Sequence, residues 1–419
     1  MDKYTLTNGL RLVIEKIPTC RSVAFGIWVK TGSRSENETN NGISHFIEHM
    51  LFKGTEKYSA KDIAEIFDGI GGNVNAFTSK EYTCYYCKVL DEHLPLAVEV
   101  LSDMFFGSVF DETELEKEKN VIYEEIAMYE DTPDDMVHDL IARAAFGGHS
   151  LGRTIIGTQS NLAAMTSDTL KEYMKSHYTI ANTVISIAGN INDDVVGLIE
   201  KHFGSFANAG SQAPLEPLAF RSDSEYHQKK TEQNHICLSL PGLAAKDDRL
   251  YAMILLNNAI GGGMSSRLFQ EIREKRGLAY SVYSYHSSYQ DGGMFTVYTG
   301  TAPKQTEEVL KVTLELLADI KEKGLTPTEL KKGKEQMKGS LILSLESTSS
   351  RMNRIGKNEL MLGRHYNLDE MIQRIESVEM EHVQALTAEL LSVPFALAMV
   401  GQTNEAIAGF RRDQLVGTN

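Results

Sequence analysis

The chain has 419 residues, of which 42% are hydrophobic and 24% are charged, and its formal net charge at pH 7 is −15. This composition is typical of a globular protein with two or more domains, because a single hydrophobic core rarely serves more than about 250–300 residues. The negative charge argues against nucleic acid and anionic membrane as partners, and no stretch approaches the roughly 18 uninterrupted apolar residues of a membrane span.

The N-terminal stretch, MDKYTLTNGLRLVIEK, alternates apolar and polar residues around an Asn-Gly turn, which predicts strand structure. It lacks a basic segment followed by an apolar one, so it does not resemble a signal peptide. The chain has four cysteines, too few for a disulfide framework at this length. We therefore predict a reducing compartment and a cytoplasmic location.

Residues 42–55, GISHFIEHMLFKGT, combine an apolar helix with three chemically active side chains. The apolar residues recur at helical spacing and predict a stripe that faces the core: Ile43, Phe46, Ile47, Met50 and Leu51. His45, Glu48 and His49 share a different face about one turn long. Two imidazoles at this spacing can bind one metal ion, and the carboxylate can take a proton from a water molecule that the metal activates. H-x-x-E-H is the inverted zinc-peptidase pattern, although two surface histidines and a glutamate can also meet by chance.

Cys84 and Cys87 have the C-x-x-C spacing of redox and zinc sites. They stand in EYTCYYCKVL, a stretch rich in aromatic and β-branched residues that predicts a strand. Residues i and i+3 of a strand point to opposite faces, which suits neither kind of site. We therefore interpret them as core residues.

The segment TELEKEKNVIYEEIAMYED supplies candidates for a third metal ligand. On a helical wheel the buried stripe is predicted to contain Leu115, Val121, Ile122, Ile126 and Tyr129. Glu118 and Glu125 fall within this stripe, and an inward carboxylate usually has a cation or a metal as partner. We predict Glu125 as the third ligand and Glu118 as a carboxylate that orients a ligand. The alternative is that both side chains extend from the stripe towards water.

The two halves of the chain repeat one plan. Residues 204–225 have the Gly, Ala, Ser and Pro bias of a linker, and the helix starts T-E-L at 113–115 and 328–330 each follow a strand-like segment. We predict a catalytic domain at 1–210, a linker at 211–225 and a homologous domain without H-x-x-E-H at 226–419. Each half is expected to be α+β, with helices on one face of a largely antiparallel sheet.

With this spacing of His45, Glu48, His49 and Glu125, and the further string HSLGRTIIG at 149–157, the chain resembles the pitrilysin/insulinase family of zinc peptidases. The similarity extends over nearly the whole chain and is closest to the branch of the mitochondrial processing peptidase β-subunit and its short bacterial homologues. The resemblance implies two halves that close like a clamshell, zinc as cofactor, a homodimer, Glu48 as general base and Glu118 as an additional active-site glutamate. None of these positions departs from the family pattern.

The resemblance also implies how a peptide substrate binds. GGNVNAFTSKEYTCYY, residues 71–86, resembles the family's edge strand, along which an extended peptide pairs, with Asn75 and Ala76 beside the cleaved bond. In the second half, Arg273 and Tyr280 match the pair that contacts the substrate and the transition state, with Arg276 as a nearby competitor. Without the resemblance, a surface arginine and a strand tyrosine would be the simpler reading.

A substrate preference is predicted from MYEDTPDDMVHDLIARAAF. Asp131 or Thr132 can cap a helix there, and Asp135 and Asp139 then stand at i and i+4 on one face. Two acids near a helix start also favour the dipole without further function. The resemblance implies that these two carboxylates bind an arginine on the N-terminal side of the cleaved bond.

Two other functions remain open. A non-catalytic core or assembly subunit would keep the fold and lose the chemistry, but here the metal set and the base are intact. A metal-dependent hydrolase of small molecules would not need the duplicated plan. We therefore predict a zinc endopeptidase that acts on peptides or unfolded segments.

Overall fold

The computed structural model describes residues 1–208 and 215–402, so residues 211–214 of the predicted linker and the last residues of both predicted domains lie outside the described residues. The described residues form two compact units. The first unit consists of Met1–Ala127, Thr154–Leu215 and Leu343–His365. The second unit consists of Met128–Arg153, Glu216–Ile342 and the residues from Tyr366 onwards.

The strands of the described residues are β1 (Asp2–Thr5), β2 (Arg11–Lys16), β3 (Ser22–Val29), β4 (Asn73–Thr78), β5 (Thr83–Leu90), β6 (Thr183–Gly189), β7 (Ser224–Gln228), β8 (Asn234–Gly242), β9 (Ala279–Ser288), β10 (Gly293–Thr301) and β11 (Ala396–Gly401). The first unit has the sheet order β1-β2-β6-β3-β5-β4, and the second has β7-β11-β8-β10-β9. In each sheet one strand pair is parallel, β2 with β6 and β7 with β11, and the others are antiparallel. Apart from β1, the two sheets therefore have the same order and directions, which confirms the predicted duplication.

The α-helices of the described residues are α1 (Ile43–Leu51), α2 (Ala60–Gly69), α3 (Leu94–Gly107), α4 (Glu112–Glu130), α5 (Pro133–Phe146), α6 (Gln159–Ala164), α7 (Ser167–His177), α8 (Val195–Phe203), α9 (Leu250–Gly261), α10 (Thr306–Lys323), α11 (Pro327–Ser344), α12 (Thr348–Met361), α13 (Leu368–Glu376) and α14 (Met380–Leu390). A π-helix covers Phe269–Lys275. No helix within the described ranges is long and apolar enough to cross a membrane.

The principal core of the first unit lies on one face of its sheet. Apolar residues of β3 and β5 that point to this face meet the stripes of α1, α3 and α7. Cys87 belongs to this core, whereas Cys84 points to the opposite face, and both thiols are buried. This arrangement confirms that the C-x-x-C pair sits on a strand with its two sulfurs on opposite sides.

The opposite face of each sheet is covered by a helix from the other half of the chain. In the first unit α12 lies across β2, β6 and β3, and in the second unit α5 lies across β7, β11 and β8. The prediction of an α+β fold with helices against a largely antiparallel sheet is confirmed, and this exchanged helix adds a layer to it. The domain boundaries predicted at 210 and 226 therefore differ from the two compact units at these two helices: α12 belongs to the first unit and α5 to the second. The reason is that each helix packs on the sheet that buries its apolar stripe.

The exchanged helix α12 is fixed by close packing and by ion pairs. Its Gly356 meets Trp28 so closely that an added Cβ would lie 2.2 Å from the indole nitrogen. The buried Glu359 is paired with Lys3 at 2.6 Å and with His365 at 2.9 Å. Such pairing is required because an uncompensated buried carboxylate would be strongly destabilising.

Candidate metal centre

Helix α1 presents two histidines to one side of the principal core of the first unit. Its predicted apolar stripe is confirmed, since all five residues are at most 2% exposed: Ile43, Phe46, Ile47, Met50 and Leu51. His45 and His49 lie one turn apart on a neighbouring face, and their Nε2 atoms are 3.3 Å apart. This separation is too short for two protonated imidazoles and suits two nitrogens that share one metal ion.

Helix α4 brings a carboxylate to the same point. The Oε2 atom of Glu125 lies 3.8 Å from Nε2 of His45 and 3.7 Å from Nε2 of His49. With the 3.3 Å between the two nitrogens, these distances place the three atoms on a circle of about 2.1 Å radius, which is the length of a zinc–nitrogen or zinc–oxygen bond. The donor set therefore fits zinc, and it is the one such His, Cys, Asp or Glu group within the described part of the chain.

The electrostatics of His45 keep it neutral, as a metal ligand must be. Burial and the neighbouring His49 together lower the pKa of His45 to about 3. Its other nitrogen, Nδ1, is buried and makes no hydrogen bond to any described residue. In a neutral imidazole protonated at Nδ1, the Nε2 atom, which points towards His49 and Glu125, keeps a lone pair that can bind a metal ion.

His49 is oriented by a carboxylate behind it. Oε1 of Glu118 lies 2.8 Å from Nδ1 of His49, and its Oε2 lies 2.5 Å from the Nζ atom of Lys53. Burial raises the pKa of Glu118, but the hydrogen bonds from His49 and Lys53 outweigh that effect and hold the pKa below its usual value. The charged carboxylate fixes the tautomer of His49 so that Nε2 is free to bind a metal.

Glu48 lies on α1 between the two histidines and is held by a strand residue. The hydroxyl of Thr78, the last residue of β4, donates a hydrogen bond of 2.5 Å to Oε2 of Glu48. Burial raises the pKa of Glu48, and the Thr78 bond opposes that rise. A carboxylate beside a prospective metal site, in a partly buried environment, is suited to accept and release a proton.

The start of α1 is fixed by a buried glutamate. Oε2 of Glu36 accepts the backbone N–H of Gly42 at 2.8 Å, and its Oε1 accepts that of Ser44 at 2.9 Å. A carboxylate suits these otherwise unsatisfied amides at a helix N-terminus. Gly42 has a φ of +99°, and Gly157 from the string HSLGRTIIG packs so closely that a Cβ there would lie 2.4 Å from the carbonyl of Asn41. The string thus secures the loop that leads into the helix with the two histidines.

The predicted peptide-binding strand, β4, is an edge strand. Among the described strands it pairs with β5 alone, with Asn75 opposite Tyr86 and Ala76 opposite Tyr85. Asn75 is exposed, and its Oδ1 atom accepts the backbone N–H of Ala76 at 2.8 Å. An edge strand carries backbone groups available to a further strand.

The structure brings Arg273 and Tyr280 together within the second unit. Arg273 lies in the π-helix, Tyr280 is the second residue of β9, and the guanidinium carbon lies 4.3 Å from the centre of the tyrosine ring. Tyr280 is 75% exposed, so its hydroxyl is accessible. Arg276, the competitor, is 3.4 Å from the carboxylate of Glu308.

Asp135 and Asp139 lie on α5, which begins at Pro133, directly after one of the two predicted cap residues. Thr132 occupies the N-cap position without a side-chain capping bond. Asp135 is exposed, whereas Asp139 is partly buried and accepts a hydrogen bond of 2.8 Å from the hydroxyl of Tyr129. The predicted pair is therefore unequal, with one carboxylate fixed and one open to solvent.

The wheel analysis of α4 was right about the glutamates and wrong about Val121. Glu118 is buried, and Glu125 lies beside His45 and His49. Val121 is 45% exposed, so the buried stripe of α4 is narrower than the helical wheel predicted. Sequence reasoning also missed Lys53 and Thr78. The sequence could have identified Thr78, because it stands two residues after Ala76 and therefore points to the same face of β4.

Comparison with known proteins gives independent matches over both halves of the chain. A family model described as insulinase (peptidase family M16) matches residues 11–159, and one described as the peptidase M16 inactive domain matches residues 164–337. An uncharacterized zinc protease of Bacillus subtilis, YmxG, is 56% identical over 96% of this chain and 98% of its own length. A second uncharacterized zinc protease, from Streptomyces coelicolor, is 46% identical over 98% of this chain and 92% of its own length.

A solved structure shares the fold. The crystal structure of a protease from Helicobacter pylori matches with a TM-score of 0.89 and 24% identity, over 96% of this chain and 99% of that chain. The residues of the metal cluster all lie within the part of this chain that the first family model matches. The chain therefore belongs to the insulinase family of peptidases, family M16, as its resemblance to that family predicted.

Proposed function

We propose that the chain is a zinc-dependent endopeptidase whose reaction centre lies in the first unit. The observation that carries the proposal is the convergence of His45, His49 and Glu125 on one point with the Glu48 carboxylate beside them. The names of the relatives, which are zinc proteases, support zinc as the metal. A non-catalytic core subunit is not favoured, because such a subunit would have no need to keep a complete donor set and a base.

Each residue of the cluster has a distinct task in this proposal. His45, His49 and Glu125 would hold zinc through three protein ligands, the number that catalytic zinc sites use. Zinc held there would supply Lewis-acid chemistry, lowering the pKa of water and polarising a carbonyl. The Glu48 carboxylate would accept a proton from the attacking water and return it to the nitrogen of the departing amine. Glu118 keeps His49 in the tautomer that binds through Nε2.

The substrate in this proposal is an extended peptide or an unfolded segment. Its backbone would pair with β4 as an added strand, with Asn75 and Ala76 beside the cleaved bond. At this edge the N–H of Ala76 donates to Oδ1 of Asn75, a local bond that the backbone of an added peptide strand would replace. Tyr280 and Arg273 would contribute donors to the substrate and to the oxyanion of the transition state. The closure of the two halves around the peptide, the homodimer and the cytoplasmic location stay predictions.

An arginine near the N-terminal side of the cleaved bond is the preference we propose. A guanidinium would bind between Asp135 and Asp139, since bidentate pairing with carboxylates is strong and directional. The hydrogen bond from Tyr129 would keep Asp139 in one orientation, which reduces the entropy lost on binding. The net charge of −15 favours the approach of basic peptides.

The function is tested by separating metal binding from catalysis. Glu48→Gln should keep roughly one zinc per chain and lose peptidase activity by several orders of magnitude, because the ligands remain and the proton carrier does not. Glu125→Gln should lose both zinc and activity, because it removes a ligand. Glu124 is the exposed neighbour of Glu125, so the matched control Glu124→Gln should change neither the zinc content nor the activity. Zinc is measured by mass spectrometry and activity with a quenched-fluorescence peptide library. Near-normal turnover by Glu48→Gln would refute the mechanism.

The specificity is tested on paired peptides. The double variant Asp135→Asn, Asp139→Asn should remove the preference for arginine-containing over arginine-free peptides and leave zinc bound. Asp134→Asn, which removes one carboxylate from the same helical turn, is the control. The assignment is wrong if the double variant cleaves both peptides in the parental ratio.

A further inference from the structure

We propose that Thr78 is a positioning residue that fixes the orientation of the Glu48 carboxylate. This inference rests on the proposed peptidase function, in which Glu48 carries the proton. The hydroxyl of Thr78 donates to Oε2 of Glu48 at 2.5 Å, across 30 residues of sequence and between two different elements, β4 and α1. A contact of this length to a carboxylate is a strong hydrogen bond.

The surroundings of Thr78 favour Glu48 as the acceptor of its hydroxyl proton. Thr83 lies opposite Thr78 in the strand register, and its own hydroxyl donates to the carbonyl of Thr31 at 2.9 Å. The two hydroxyl oxygens are 3.5 Å apart, whereas the Thr78 hydroxyl lies 2.5 Å from Oε2 of Glu48, so Glu48 is much the closer acceptor. Thr78 is also β-branched, so few χ1 rotamers are open to it. Its donor therefore points at Glu48.

The strand end that carries Thr78 is itself immobilised. The hairpin between β4 and β5 is closed by the bond from the Ser79 N–H to the Tyr82 carbonyl, at 2.8 Å. Glu81 within this turn forms an ion pair of 2.7 Å with Arg34, and both side chains are almost fully buried. The Arg34 N–H also donates to the Lys80 carbonyl at 2.7 Å. The turn is thus tied to the loop before α1, which holds Thr78 and Glu48 in fixed relation.

A fixed carboxylate serves the proton transfer directly. Without a partner, the terminal torsion of a glutamate is broad and roughly two-fold, so both oxygens exchange positions freely. The Thr78 bond occupies Oε2 and leaves Oε1 as the oxygen that accepts the proton from water. Catalytic groups must be held close to the productive geometry, because small displacements cost much of the rate.

The test compares three variants of the full chain with the same fluorogenic peptide. Thr78→Val is nearly isosteric and removes only the donor, so kcat should fall about 10–100-fold, as for other supporting residues of metal sites, with KM and zinc content close to parental. Thr78→Ser keeps the hydroxyl and should recover most of kcat. The matched control is Thr55→Val, because Thr55 makes a bond of the same 2.5 Å length to Asp103 and takes no part in the metal cluster. It should leave kcat unchanged.

A second measurement does not depend on activity. In metal-free protein, Thr78→Val and Glu48→Ala each break the same bond, so their effects on Tm should be non-additive, with the double variant melting close to Glu48→Ala. Additive Tm shifts would overturn the contact itself. If the parent is active and Thr78→Val has parental kcat, or if Thr78→Ser is as impaired as Thr78→Val, the positioning role is refuted while the peptidase function stands. A parent without zinc-dependent cleavage would refute the proposed function, and the Tm cycle would still decide whether Thr78 holds Glu48.

Discussion

Replacing Gly356 with alanine should destabilise the first unit, although alanine is the better helix former. Gly356 lies in α12, where this helix crosses β3 and β6. A Cβ at this position would lie 2.2 Å from Nε1 of Trp28 and 2.7 Å from Oγ of Ser186. These two buried atoms are joined by a hydrogen bond of 2.8 Å, so neither can withdraw without breaking it.

The magnitude follows from three contributions to the free energy of unfolding. Forcing an extra carbon into a close-packed contact costs about 1–3 kcal/mol. Separating Trp28 from Ser186 leaves a buried indole N–H without its acceptor, which costs about 1–3 kcal/mol more. The higher helix propensity of alanine offsets about 1 kcal/mol. The net destabilisation of Gly356→Ala should therefore be about 1–5 kcal/mol.

The assay is urea denaturation followed by the fluorescence of Trp28, the sole tryptophan of the chain. Trp28 is 1% exposed and touches the perturbed position, so its emission reports the first unit directly. The matched control is Gly197→Ala in α8, another helical glycine of this unit, where an added Cβ would meet nothing within 4 Å. That variant should gain about 0.5–1 kcal/mol, because only the propensity changes.

Opposite signs for these two glycine variants are the expected result. If Gly356→Ala unfolds at the parental urea concentration or above, then α12 does not pack on the sheet as described. Equal stabilisation of both variants would show that helix propensity alone governs both sites and would refute the packing argument.

Three further predictions concern other parts of the chain. The isolated fragment 1–210 lacks α12, so the apolar sheet face around Trp28 is exposed to water and the fragment should aggregate. Joining residues 343–365 to this fragment should give a monodisperse species in size-exclusion chromatography. Tyr280→Phe should lower kcat more than it raises KM, as expected for a transition-state contact, and a change in KM alone would place Tyr280 in ground-state binding. Burial raises the pKa of Glu329, but hydrogen bonds from Arg267 and the Thr326 backbone outweigh it and lower that pKa to about 2. Since the folded pKa is depressed, the stabilisation is present above about pH 4.5 and is lost as pH falls towards 2. The stability difference between parent and Glu329→Gln in urea denaturation should therefore shrink over this range, and a constant difference would contradict the assignment.

Much of the candidate metal centre could be predicted from the sequence because it is encoded locally. One turn of helix sets His45 and His49 on the same face whatever surrounds them, and the apolar residues between them decide which side is buried. The same periodicity directed Glu118 and Glu125 inward on α4. The edge strand with Asn75 and Ala76 was likewise predicted, since a strand pattern and its family resemblance coincide there. The error at Val121 arose because a wheel gives the direction of a stripe but not its width.

Only the tertiary structure decided which elements meet. Thr78 and Glu48 are 30 residues apart and Lys53 and Glu118 are 65 apart, and nothing in their local patterns selects one partner over another. The exchange of α5 and α12 between the two sheets could not be predicted either. An amphipathic stripe indicates that one face of a helix is buried, but it does not indicate which sheet buries it. That choice depends on shape at the contact, where Gly356 leaves the space that Trp28 fills. Periodicity is a property of the chain over one or two turns, whereas complementarity is a property of two surfaces and exists only once the fold has brought them together.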